Sequence, residues 1–140
     1  MPRFSELADS SVSVPASMNN GATPDGHAIV GLWTDMMMGH SHGYVVRDGN
    51  FLSYDVPGSL GTNIWDINPA GAFVGVYTDS NKKTHGFLQF PDGSAPITID
   101  YPNAVSTGAF GINPGGAVVG QYTDTSGHTH GFLATPAGVQ

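Results

Sequence analysis

The chain contains no cysteine, which excludes disulfides, zinc–thiolate centres and thiol nucleophiles and leaves the redox compartment open. Cations are nearly as scarce. Arg3, Arg47, Lys82 and Lys83 stand against 11 acidic residues, for a formal charge of −7. Nucleic acids and anionic membranes need clustered positive charge, so neither is an expected partner. Charged residues make up only 11% of the chain, against a usual share of about a quarter. No apolar run approaches membrane-spanning length, and the opening "MPRFSELADSSVSVPAS" has no apolar leader core. As written, the chain is expected to be cytoplasmic, or secreted if a leader was removed. No glycine-rich phosphate loop, zincin helix, serine elbow or nucleotide motif is present, and no cofactor is expected.

Glycine, by contrast, is abundant at 20 residues of 140, and valine, threonine, tyrosine and phenylalanine recur between Gly, Pro, Asn and Asp clusters. That composition favours short strands joined by tight turns, in a single all-β domain covering residues 1–140.

The chain also repeats itself. "INPAGAFVGVYTDSNKKTHGFLQFPDG" begins at Ile67 and "INPGGAVVGQYTDTSGHTHGFLATPAG" at Ile112, 45 residues later. Upstream, Asp55 and Asp100 keep the same spacing in "YDVPGS" and "IDYPNA". A weaker copy, "TPDGHAIVGLWTDMMMGHSHGYVVRDG", starts at Thr23. Each unit parses into four strands. The first covers 18–23, 64–68 and 109–113 in turn, the second 29–34, 73–78 and 118–123, the third 42–47, 85–90 and 130–135, and the fourth 51–56 and 97–101. The third unit is expected to stop without a fourth strand, while "SVSVP", Ser11 to Pro15, resembles an orphan fourth strand.

Four antiparallel strands in about 45 residues is the size of a propeller blade. The expected blades are about 18–56, 64–101 and 109–135, the last completed by the outer strand 11–15. Three blades are too few for a closed ring, so the expected assembly is a homodimer that exchanges strand 11–15 and closes as six blades. A threefold β-prism or β-trefoil monomer is the alternative. The segment "GINPGGAVVGQYTDTSGHTHGFL", with "IDYPNAVST" before it, resembles the HAF-type bacterial extracellular repeat. The resemblance covers roughly Pro24 to Pro136 and implies a β-repeat architecture and, for many members, secretion; it implies no catalytic residues.

Several positions carry candidate chemistry. His42, His85 and His130 follow Asp35, Asp79 and Asp124 across a short hairpin, and the Asp carboxylate or a backbone carbonyl is expected to orient each imidazole as part of the scaffold. The His-x-His pairs, His40 with His42 and His128 with His130, are the minority metal candidates, since alternate strand residues share a face. Met36, Met37 and Met38 make one hairpin tip apolar where the sister tips are polar, which favours a contact surface over a soft-metal site. Trp33, Tyr77 and Tyr122 share one position and are expected to be core.

Asn68 and Asn113 are expected to cap the Asn-Pro-x-Gly turns. Strand alternation puts Trp65, Ile67, Phe110 and Ile112 on one face. Asp66 replaces the glycine of its sisters, Gly21 and Gly111, beside Trp65 on a strand expected near the ring axis.

The leading expectation is a non-enzymatic binding or assembly module that recognises a small molecule, glycan or protein. Trp65, Asp66, Asn68 and the Met36–Met38 tip are its candidate contacts. The alternative is a small cofactor-free lyase, isomerase or cyclase with a pocket at the dimer axis, in which Asp66 and His42 supply the acid and base.

Overall fold

The computed structural model describes residues 17–23, 27–135 and 138–139. They form twelve strands in three antiparallel four-stranded meanders, with no helix among the described residues. The first sheet contains β1 (Ser17–Ala22), β2 (Ala28–Thr34), β3 (Ser41–Arg47) and β4 (Asn50–Tyr54). The second contains β5 (Gly61–Ile67), β6 (Phe73–Thr78), β7 (Thr84–Gln89) and β8 (Ile97–Ile99). The third contains β9 (Ser106–Ile112), β10 (Val118–Thr123), β11 (Thr129–Thr135) and β12 (Gly138–Val139). The three sheets remain separate and none closes on itself.

β12 corrects the expectation that the third unit stops after three strands. A short fourth strand pairs Val139 with Ala134 and Gly138 with Thr135. Ladder pairing from this side stops there. Among the described residues no strand pairs with Gly131, Phe132 and Leu133 on the edge away from β10, whereas β8 covers that edge of their counterparts Gly86, Phe87 and Leu88. The proposed outer strand Ser11–Pro15 falls outside the described residues.

Successive sheets pack face to face. Val30 and Val45 of the first sheet, with Val56 in the link after it, meet Ile64, Ile67, Phe73 and Phe87 of the second in one buried cluster. Val74 and Ile99, on the other face of the second sheet, meet Ala109, Val118, Phe132 and Ala134 of the third. The second sheet thus has one face for the preceding sheet and one for the following sheet, as expected when apolar residues occupy both parities of a strand. Tyr44 and Val46 form a third cluster with Ile29 and Trp33 on the outward face of the first sheet.

A β-bulge recurs in the first strand of every sheet. Pairing skips between Asn19 and Gly21, between Ile64 and Asp66, and opposite Val119/Gly120, which leaves Asn20, Trp65 and Phe110 as the extra residues. One extra residue reverses the side-chain alternation beyond it. The bulge therefore overturns the assignment of Trp65 and Ile67 to one face: Thr62, Ile64 and Ile67 are the buried set, and Trp65 lies on the other side, edge-on to Phe110. The opposing strand comes so close at the bulge that a Cβ on Gly75 would collide with the Asn63 carbonyl oxygen, and one on Gly120 with the Gly108 carbonyl oxygen.

Threonines close the links between sheets. Thr62 and Thr107, 45 residues apart and both buried, accept from the backbone N–H of Val56 and Tyr101 at 3.0 Å. Each satisfies a donor that the chain would otherwise bury unpaired as it crosses from one sheet to the next.

Candidate functional site

The repeated histidines sit on the third strand of each sheet, beside the end of the second. His85 places Nε2 2.7 Å from Asp79 Oδ2 and Nδ1 2.8 Å from Asp100 Oδ1, so one imidazole bridges two carboxylates. His42 does the same with Asp35 at 3.0 Å and Asp55 at 2.9 Å. Each ring stacks on the aromatic residue of the neighbouring strand: His42 on Trp33, His85 on Tyr77 and His130 on Tyr122, with centroids 4.4 to 5.0 Å apart. The first carboxylate also holds the hairpin. Asp79 Oδ1 accepts from the N–H groups of Asn81 and Lys83, and Asp124 Oδ1 from those of Ser126 and His128.

The expected orienting role of Asp35, Asp79 and Asp124 therefore stands. Sequence reasoning missed the second carboxylate, Asp55 or Asp100, which ties the fourth strand into the same cluster. Its signal was present in the 45-residue spacing of the two Asp residues. His130 places Nε2 2.8 Å from Asp124 Oδ2.

Burial penalises the charged form of His42 and His85, but the paired carboxylates outweigh it and raise both pKa values above the ordinary histidine range. In return, hydrogen bonds from His42, His85 and His130 lower the pKa values of Asp35, Asp79 and Asp124. These histidine–carboxylate clasps recur within each sheet.

The two members of each His-x-His pair do not sit together on one strand. His40 and His128 lie outside β3 and β11, and both ring nitrogens of His42 face carboxylates. Among the described residues, no group of three His, Asp or Glu side chains is arranged to hold a metal ion. The Met36–Met38 tip projects outward, with Met37 94% exposed, so these methionines do not tuck between sheets. Asp35 fixes this hairpin through hydrogen bonds from the backbone of Met38 and Gly39.

The first strands of the three sheets adjoin one another. Asp66 Oδ2 accepts from the N–H of Ile112, 3.0 Å away in the third sheet. The absence of a Cβ on Gly21 leaves room for the Asp66 backbone and carboxylate. Asn68 accepts from Ala72 N–H at 2.9 Å, closing its own turn, and donates to the carbonyl of Asn113 at 3.2 Å. Asn113 closes the equivalent turn by accepting from Ala117. Both asparagines are turn caps as expected, and Asn68 also links two sheets. Trp65 Nε1 and Asn63 Oδ1 are buried without a hydrogen-bond partner among the described residues.

Asp66 and His42, the pair named for acid–base chemistry, are committed to different structural partners: Asp66 to Ile112, and His42 to Asp35 and Asp55. Asn in place of Asp66 keeps an oxygen to accept the same N–H. Asp66→Asn is therefore expected to move Tm by no more than about 4 °C in a thermal melt, equivalent to about 1 kcal/mol.

Two clefts open between adjacent sheets. One of about 410 Å³ lies between the first and second sheets, and one of about 700 Å³ between the second and third. No helix among the described residues is long and apolar enough to cross a membrane. No known family model matches the chain, and no curated protein or solved structure matches it.

Proposed function

We propose that the protein is a non-enzymatic binding and assembly module of β-propeller type, built from HAF-like repeats, in which two chains close a six-bladed ring. The observation that carries this reading is a single position followed through the three sheets. Val30 and Val74 are 0% exposed because each packs against the next sheet, but Val119, in the same place on the third sheet, is 52% exposed. Leu133 is 41% exposed, while its counterpart Val45 is 4%. The third sheet thus carries a face of packing type with no described sheet upon it, and apolar faces of this kind mark association sites.

The complementary face is on the first sheet. Ile29, Trp33, Tyr44 and Val46 occupy the places by which the second and third sheets receive a neighbour. A twofold pair of chains satisfies both faces twice and closes the ring. Closure exchanges the cover that Tyr44 and Val46 have within one chain for the partner's third sheet. Strand 11–15 adding to the open edge at Gly131–Leu133 completes the proposed exchange.

A sedimentation dilution series tests the proposal. Val119→Asp buries an unpaired carboxylate in the proposed contact and is expected to weaken self-association at least about 100-fold. Equal self-association of the variant and the parent chain would refute this use of the face. The exposed Met36–Met38 tip provides an adaptable surface for a ligand or protein. The alternative enzyme requires Asp66 as an acid or base, so Asp66→Asn would abolish its turnover while leaving the proposed module folded and competent.

A further inference from the structure

The two clefts between sheets are built from corresponding residues but filled differently. In the first, Tyr54 supplies a ring that meets Phe73 edge-on at 4.9 Å and stacks on Phe87 at 5.8 Å. Its hydroxyl donates to Gln89 Oε1 at 2.6 Å, and burial pushes the Tyr54 pKa up to about 12, so it remains a donor. The second cleft replaces each part of that arrangement. Ile99 stands for Tyr54, Val118 for Phe73 and Ala134 for Gln89, each 45 residues on. All three exchanges remove bulk, and two remove the hydrogen-bonding pair.

The aromatic side chain has not vanished from the strand. It has moved two residues along, from the place of Ile99 to Tyr101, where it stacks on Tyr122 at 3.7 Å and leans on Phe132. Tyr101 therefore fills the end of the interface near the histidines. The other end is open and lined by Leu88, Ile97, Ile99, Ile112, Val118 and Ala134.

We infer that this cleft is a binding site for a small planar aromatic molecule of phenol to indole size, which takes the place that the Tyr54 ring occupies in the sister cleft. Mostly apolar walls, a volume of about 700 Å³ and an opening to solvent suit a compact ring that keeps its polar substituent at the mouth. Asp100 borders the cleft, but its carboxylate is taken up by His85 Nδ1, so the polar substituent of the ligand is left to solvent. The inference names a ligand class for the binding function proposed above. Because the cleft lies within one chain, it is independent of ring closure.

The probe is p-cresol, which carries the same ring and hydroxyl as a tyrosine side chain. Titration into the methyl-labelled full chain is expected to give saturable NMR shifts at Leu88, Ile97, Val118 and Ala134. Ala134→Gln and, separately, Val118→Phe restore side chains of the filled cleft and are expected to weaken the response at least tenfold. Two variants keep the test informative if one fails to fold, with far-ultraviolet circular dichroism as the check. Absence of saturable shifts in the parent chain would overturn the site, as would shifts unaffected in a folded variant. Binding that emerges only after removal of residues 136–140 would also overturn it, by showing that the chain's own end occupies the cleft. Failure of the ring would appear in the sedimentation experiment and leave these shifts unchanged.

Discussion

Gly75→Ala is expected to destabilise the protein by at least about 3 kcal/mol, a large fraction of the 5–15 kcal/mol typical of a folded domain. Gly75 lies opposite the bulge at Trp65, where β5 bends into β6 and the Asn63 carbonyl oxygen fills the space that a methyl group would need. The obstacle is backbone, so no rotamer change relieves it. The strands must separate, losing ladder hydrogen bonds and disturbing the cluster around Ile64 and Phe87. Gly131→Ala is the control: its added Cβ meets only the Gly120 carbonyl oxygen, at an ordinary 3.8 Å, and the expected change is within about 1 kcal/mol. Urea denaturation of the two variants checks both values, and equal stability would show that the strands do not approach as closely as described.

The histidine–carboxylate clasps at His42 and His85 predict an unusual dependence on pH. The pKa values of His42 and His85 are raised in the folded protein, so their contribution is complete below the unfolded value of 6.5 and is lost as pH rises through the folded values. The pKa values of Asp35, Asp79 and Asp124 are lowered, so their contribution is complete above the unfolded value of 3.8 and is lost as pH falls through the folded values. Between 3.8 and 6.5 both sets contribute fully. Tm is therefore expected to be higher at about pH 5.5 than at about pH 8.5.

Removing His85 deletes two charge-assisted hydrogen bonds and leaves Asp79 and Asp100 facing each other. His85→Ala is expected to cost about 2 kcal/mol near pH 5.5, with partial exposure of the carboxylates keeping the figure modest. The double variant His42→Ala/His85→Ala should lose most of the alkaline decline in Tm. An undiminished decline would assign it to other groups.

Much of this framework is legible in the sequence because the repeats expose their own grammar. β6 and β10 occupy 73–78 and 118–123, the expected bounds, since apolar runs there end in an unmistakable Thr-Asp turn. The first strands of the second and third sheets begin three residues earlier than expected, at Gly61 and Ser106. "GTN" and "STG" resemble loop by composition, and only pairing with Thr78 and Thr123 makes them strand.

The bulge had a signal that strand alternation alone could not use: a mid-strand glycine recurs at Gly31, Gly75 and Gly120, and at Gly75 and Gly120 an opposing backbone approaches closely. The candidate site was less legible. Asp66 is described correctly as a substitution among glycines, but its carboxylate serves a backbone N–H in another sheet, a partnership that depends on how sheets stack. The unequal clefts were likewise hidden, because each depends on side chains from two repeats at once.

The central claim is that the face carrying Val119 and Leu133 receives a second copy of the chain. Light scattering of the intact chain at micromolar concentration tests it most directly. A single species of twice the chain mass, reduced to one chain mass when residues 1–16 are removed, is the predicted result. A monomer at every concentration, with or without that segment, would contradict the ring.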